Sequence, residues 1–129
     1  MQTEEFIDRV QDLVGLEDRI EVEDAVRATL ETLGRRLSFG EANDVAGRLP
    51  SELADHLRRY ASGQPETFSL DDFFQHVATG TDIEVDVAMA RERAEAVMTA
   101  LREAVGDDEI RAAASQLPSE YSRLLAEAS

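Results

Sequence analysis

The chain has 129 residues, enough for one domain or for two closely packed half-domains. It contains no cysteine, which excludes disulfides, thiolate zinc sites and a cysteine nucleophile. Its 28 acidic residues face 13 arginines and no lysine, and the net charge of −15 disfavours non-specific binding to nucleic acids and anionic lipids.

The charge pattern indicates where the protein works. Dense carboxylates without lysine are typical of a salt-in halophile, in which molar salt screens charge repulsion to within roughly 3 Å. A GC-rich genome, which favours arginine codons, is the alternative explanation.

Residues 1–5 carry no basic region, and no stretch approaches the ~20 apolar residues that span a bilayer. We therefore expect a cytoplasmic protein.

Two helices are predicted ahead of residue 38. The apolar spacing indicates a first helix over residues 3–14, with acidic residues in its first turn and Gly15 at its end. A second helix is expected from near Val22 to Leu37. Gly34 lies inside this helix at a cost of about 1 kcal/mol, which indicates either close helix packing or an early end.

The next two helices are predicted from capping residues. Ser38, with Glu41 three positions later, makes a capping box ahead of a short third helix over residues 40–48. The residue before a proline is disfavoured in a helix, whereas Pro50 itself suits a first helical turn. A fourth helix is therefore expected from Pro50 to about Tyr60.

A linker at residues 61–68, rich in turn-forming residues, divides the chain near its middle. The second half, residues 69–129, repeats the order of the first. A capping box of Ser69 and Asp72 opens helix five. Helices six, seven and eight are expected over residues 85–105, 107–116 and 118–126, and no strand is predicted.

The two halves are related by a constant offset of 68 residues. Leu49-Pro50-Ser51-Glu52 recurs as Leu117-Pro118-Ser119-Glu120, and the apolar stripe of helix two (Val22, Val26, Leu30, Leu33 and Leu37) maps onto Ala90, Ala94, Met98, Leu101 and Val105. We expect two tandem four-helix repeats, residues 1–60 and 69–129, that share one core. The predicted fold is an all-α, eight-helix bundle with pseudo-twofold symmetry.

A longer pattern runs through helices two to four. Leu-x-x-Arg-Leu-x-x-x-Glu-Ala is present from Leu33 to Ala42, and Leu49-Pro50 follows it. The second half matches at Phe73, Val77, Val97, Leu101, Glu109, Leu117-Pro118 and Tyr121. With this pattern, nearly the whole sequence resembles the domain-of-unknown-function family numbered 2267, and its acidity suggests a haloarchaeal member. The resemblance implies an all-helical domain and brings no known activity or functional residues.

The two histidines are candidate metal ligands. His56 lies four residues after Glu52, and His76 lies four residues after Asp72, so each pair shares a helix face. One histidine and one carboxylate do not make a metal site, and neither histidine recurs in the other half. We expect both histidines to lie at the surface or at an interface.

Two acidic runs also suggest cation binding. Residues 82–86 alternate carboxylates as a calcium loop does, but the glycine and the bidentate glutamate of such a loop are missing. Asp107-Asp108-Glu109 resembles a metal-binding cluster and is more simply an acidic helix N-terminus. We therefore predict no catalytic, cofactor-binding or metal-binding residues.

Enzymatic activity is not expected, because the sequence has no Gly-x-Ser-x-Gly and no phosphate-binding glycine loop. Two functions remain. The favoured one is a protein-interaction or scaffold domain, with an unknown protein partner or self-association. Phe39 and Tyr60 are candidates for its exposed surface, and the equal alternative for both is a place in the core. The alternative is a DNA-binding regulator with a helix-turn-helix-like segment at residues 40–60, whose recognition helix would carry Arg58 and Arg59 among many carboxylates.

Overall fold

The computed structural model describes residues 1–125 and confirms the all-α class. The helices are α1 Thr3–Val14, α2 Arg19–Arg36, α3 Phe39–Ala46, α4 Ser51–Arg58, α5 Leu70–Gly80, α6 Val87–Val105, α7 Asp107–Ser115 and α8 Ser122–Leu125, and a 3-10 turn at Ser119–Tyr121 precedes α8. Extended pairing within these residues is limited to one isolated bridge between Ser38 and Ser62. None of the described helices is long and apolar enough to cross a membrane.

Side-chain caps set several helix starts and correct the predicted ones. The first helix has the predicted bounds and ends at Gly15, whose φ is 71°. The Asp18 carboxylate accepts the N–H of Ile20, so α2 begins three residues earlier than predicted. The Asp86 carboxylate accepts the N–H of Met89, so α6 begins two residues later than predicted.

Tightened turns shorten the helices that flank each Leu-Pro. After α3, the N–H groups of Arg48 and Leu49 bond to carbonyls three residues back, so α3 ends before the predicted residue 48. The N–H of Arg59 does the same, and α4 ends at Arg58 instead of Tyr60. The predicted eighth helix starts as a 3-10 turn, and its expected end, Ala126, lies outside the described residues.

The two longest helices, α2 and α6, form the centre of the bundle. Helix α2 packs against α1, α4, α5 and α6, while α6 also packs against α1, α5, α7 and α8. The buried apolar side chains form one continuous cluster, which extends from Phe6 in α1 to Leu125 in α8. Residues from both halves of the chain therefore contribute to the same core.

Gly34 brings α4 into close contact with α2. A Cβ atom placed on Gly34 would lie 2.0 Å from the carbonyl oxygen of Leu57, far inside van der Waals contact. The sequence left open whether this glycine marks close packing or an early helix end. Because α2 continues to Arg36, the close packing is the correct alternative.

The connection between α4 and α5 is fixed to the body of the protein. The N–H of Glu66 donates to the carbonyl of Arg35, whose guanidinium in turn binds the Glu66 carboxylate at 2.7 and 2.9 Å. Arg36 donates to the Glu66 carbonyl and lies over the rings of Phe68 and Tyr121, at 5.5 and 5.2 Å from their centroids. The Tyr121 hydroxyl bonds to the carbonyl of Phe68 at 2.9 Å.

Gly34→Ala is expected to destabilise the protein by about 3 kcal/mol or more, because the added methyl group meets backbone and forces α2 and α4 apart. The measurement is chemical denaturation followed by far-ultraviolet circular dichroism. Gly40→Ala is the matched control, since nothing lies within 4 Å of a Cβ at this helical position. The control should be neutral or stabilised by up to about 1 kcal/mol. Equal effects of the two substitutions would contradict the packing argument.

Candidate functional site

Three carboxylates from α3 and α7 meet in one cluster. One oxygen from each of Glu41, Asp44 and Glu109 lies within 4.8 Å of the other two. Glu41 is only 8% exposed, the Glu109 side chain is 13% exposed, and Asp44 lies at the surface. We call these three residues the carboxylate cluster.

The cluster exists because Glu41 does not complete its predicted capping box. The Ser38 hydroxyl accepts the N–H of Glu41 as expected, at 3.2 Å. The N–H of Ser38, which Glu41 was expected to accept, instead donates to Oε1 of Gln116 at 3.1 Å. The Glu41 carboxylate is therefore free to turn inward towards Glu109.

Little positive charge compensates the carboxylate cluster. Nη2 of Arg48 lies 4.0 Å from Oε2 of Glu109, and Nη1 of the same arginine donates to the carbonyl of Val105 at 2.9 Å. Oε1 of Glu41 and Oε1 of Glu109 are buried without a hydrogen-bond partner among the described residues. Burial, the negative charges of Glu109 and Asp44, and the hydrogen bond that protonated Glu41 makes with Glu109 raise the pKa of Glu41 to about 7.

Sequence reasoning missed this site. It treated Glu41 as a helix cap and Glu109 as part of an acidic helix N-terminus, and each residue does lie in the first turn of its helix. The signal that was available is the offset of 68 residues, which relates Glu41 to Glu109. Equivalent positions of two halves that pack together are candidates for contact.

The histidines lie apart from the carboxylate cluster. His56 is half-buried near Asp24, Arg27 and Ile83, and its burial lowers its pKa. The ring of His76 packs against that of Phe68, with 4.6 Å between the ring centroids. Within residues 1–125, neither histidine belongs to a group of three potential metal ligands.

The acidic loop at residues 82–86 has a structural role. The N–H groups of Asp82 and Ile83 donate to the Asp24 carboxylate at 3.0 and 2.9 Å. Burial of Asp24 opposes its ionisation, but these bonds and the neighbouring Arg27 outweigh it and lower the pKa of Asp24. Asp86 caps α6.

The two aromatic residues for which both the surface and the core were open are exposed. Phe39 is 54% exposed and Tyr60 is 51% exposed. They lie on the two chain segments that meet at the bridge between Ser38 and Ser62. Tyr60 also lines a groove of about 330 Å³ between α2 and α5, together with Arg35 and other residues of these helices.

The segment predicted to resemble a helix-turn-helix forms two packed helices, α3 and α4, with four residues between them. The two arginines at the C-terminal end of its second helix, Arg58 and Arg59, are engaged with other side chains. Nε of Arg58 donates to Oδ1 of Asn43 at 3.1 Å, and Nε of Arg59 lies 3.9 Å from the Glu31 carboxylate. The first turn of α4 carries Glu52 instead of a basic residue.

These features define an all-helical domain in which the one group of converging potential metal ligands among the described residues is all carboxylate. A model of uncharacterized conserved proteins, DUF2267, matches residues 3–124. The chain belongs to this family, as the resemblance predicted. No curated protein matches the sequence.

Glu41→Gln is expected to stabilise the metal-free protein increasingly as the pH rises. A carboxyl with a folded pKa near 7 and an unfolded pKa of 4.5 stabilises the fold below pH 4.5, and this contribution is lost as the pH rises through 7. The advantage of the variant should therefore grow between pH 4.5 and pH 8, by up to about 3 kcal/mol. The measurement is denaturant unfolding in the presence of a chelator.

Glu52→Gln, which changes an exposed glutamate of α4, is the control for this experiment. Titrations shared by all three proteins cancel when each variant is compared with the unsubstituted protein. If the difference in free energy of unfolding between Glu41→Gln and the unsubstituted protein does not change with pH, Glu41 ionises normally in the carboxylate cluster, and the prediction is wrong.

Proposed function

We propose that this chain is a non-enzymatic protein-interaction or scaffold domain. It binds a partner protein, or a second copy of itself, through the surface around Phe39 and Tyr60. The observation that carries the proposal is the exposure of these two side chains, each more than half accessible. Aromatic side chains are enriched in protein interfaces, where burial of their large apolar area contributes much of the binding energy.

The surroundings of the two aromatic residues support this proposal. Both lie near the C-terminal end of α2, where the Ser38–Ser62 bridge joins two chain segments. The guanidinium of Arg59 lies 5.7 Å from the centroid of the Tyr60 ring. Tyrosine and arginine are the residue types that most often dominate binding energy at interfaces.

DNA binding through α3 and α4 is the alternative proposal. The four-residue connection fits a helix-turn-helix, whose second helix reads bases with its N-terminal residues. Here that end of α4 carries Glu52 and Asp55, while Arg58 and Arg59 lie at the opposite end. The charge distribution therefore favours protein interaction.

We also propose the tandem duplication, with repeats at residues 1–60 and 69–129 and a linker at 61–68. Two observations support a pseudo-twofold arrangement. The first helix of each half packs on the long helix of the other half, α1 on α6 and α5 on α2. Glu41 and Glu109, which are 68 positions apart, lie together in the carboxylate cluster.

The setting that we propose is the cytoplasm of a haloarchaeon. The proposal rests on the net charge of −15 and on the use of arginine as the only basic residue apart from the two histidines. Such a surface remains hydrated at molar salt, where repulsion between exposed carboxylates is screened.

The interaction proposal predicts that Phe39→Ser combined with Tyr60→Ser abolishes partner binding without unfolding the protein, because both side chains are exposed. The measurement is affinity purification from the native host at its own salt concentration, with quantitative mass spectrometry and a nucleic-acid assay of the same eluate. Analytical ultracentrifugation of the purified protein tests self-association.

Met89→Ser is the matched control, since it removes an exposed apolar side chain from α6. A stoichiometric protein, or a dimer, that persists with the control and is lost with the double variant supports the proposal. Retention by the double variant would exclude this surface. Recovery of specific DNA, lost on changing Arg58 and Arg59, would establish the alternative.

Halophilic adaptation predicts that stability rises with salt. Raising KCl from about 0.1 M to about 1 M shortens the screening distance from about 10 Å to about 3 Å, which weakens repulsion between surface carboxylates. The thermal unfolding midpoint should therefore increase over this range. KCl is used because strongly excluded salts such as sulfate stabilise most proteins. A midpoint that does not change with KCl would contradict the adaptation.

A further inference from the structure

The carboxylate cluster has the geometry of an oxygen-ligand cation site. Ca²⁺ binds oxygen atoms at about 2.3 to 2.6 Å, so two ligands on opposite sides of the ion lie about 4.8 Å apart, and adjacent ligands are closer. The oxygens of Glu41, Asp44 and Glu109 all lie within 4.8 Å of one another. Their mutual distances are therefore compatible with direct coordination of a single ion.

Two buried oxygens in the cluster need a partner. Glu41 is more than nine-tenths buried, and its Oε1 atom accepts no hydrogen bond among the described residues. Oε1 of Glu109 is in the same condition. A buried carboxylate oxygen without a partner loses its hydration without compensation, which is a costly arrangement in a folded protein. A cation bound between the two carboxylates would compensate this loss, as would a proton shared between them.

The charge of the ionised cluster also favours a cation. When all three carboxylates are ionised, they carry three negative charges, and the guanidinium of Arg48, which is half exposed, lies 4.0 Å from Glu109. Two negative charges are left uncompensated, which a divalent ion neutralises. Asp44 lies at the surface, so an ion can reach the cluster from solvent.

The contrast with Asp24 shows that the protein compensates other buried carboxylates by itself. Asp24 is as buried as Glu41, yet it receives two backbone N–H groups and a 2.6 Å bond from Arg27. Glu41 has no comparable donors among the described residues. The cluster is therefore an exception in this structure.

We propose that Glu41, Asp44 and Glu109 bind one oxygen-preferring divalent cation, of the class of Ca²⁺, Mg²⁺ or Mn²⁺, between α3 and α7. The all-carboxylate ligand set selects this class over Zn²⁺ or Cu²⁺, which favour imidazole and thiolate. Water completes the coordination. The ion joins a helix of the first half of the chain to a helix of the second.

The test is titration calorimetry of chelator-treated full-length protein with Ca²⁺, Mg²⁺ and Mn²⁺ separately, and electron paramagnetic resonance to count bound Mn²⁺. We expect one saturable site for at least one of the three ions. Glu109→Gln should weaken its binding by about tenfold or more, since loss of even an outer-shell partner of a metal costs this much. Asp44→Asn should weaken binding similarly, and because Asp44 is exposed this variant is expected to fold.

Asp107→Asn is the matched control, because it removes an exposed charge from the first turn of the same helix as Glu109. It should change affinity by less than about twofold, since salt largely screens an exposed charge. If all three substitutions weaken binding equally, the cations are attracted to the acidic surface in general, and the proposed site is wrong. The proposal is also wrong if none of the three ions binds saturably to protein that circular dichroism shows to be folded. In that case Glu41 and Glu109 share a proton instead.

Discussion

The architecture depends on how closely α4 approaches α2 at Gly34. Because the carbonyl of Leu57 occupies the space where a side chain would begin, α4 is held directly against the central helix. The short turn between α3 and α4 then fixes α3, and Arg48 in that turn bonds to the last residue of α6. This places α3 beside α7, which begins immediately after α6. The proximity of Glu41 and Glu109 therefore depends in part on Gly34, whose missing side chain lets α4 pack against α2.

Much of the fold could be predicted from local sequence, because the spacing of apolar residues and the caps at Ser38 and Ser69 act within a few positions. The carboxylate cluster could not be predicted in this way. Glu41 fits a capping box locally, and it is released from that role because Gln116, 78 residues away, bonds to the N–H of Ser38. Similarly, the exact ends of α3 and α4 could not be predicted, because helix propensity is a weak guide to where a last turn tightens.

In this acidic protein, the positions of the few arginines determine which carboxylates are compensated. Arg27 of α2 donates to the carbonyl of Gly80, the last residue of α5. Arg35 and Arg36 of α2 donate to Glu66, in the connection that precedes α5. Arg27 binds Asp24 and Glu31, and Arg35 binds Glu66, so these carboxylates are compensated within the protein. The sequence has no lysine, and among residues 1–125 the one ion pair to the carboxylate cluster is the 4.0 Å contact of Arg48. The imbalance at α3 and α7 is therefore a property of how the arginines are distributed.

The fixed connection between α4 and α5 has a thermodynamic consequence for binding. A connecting loop that is mobile in the free protein loses conformational entropy when a partner immobilises it, and this loss reduces affinity. Here the connection that begins beside Tyr60 is already held by Arg35, Arg36 and Tyr121. A partner would therefore meet a preorganised surface, and ordering this connection would take little from the binding free energy.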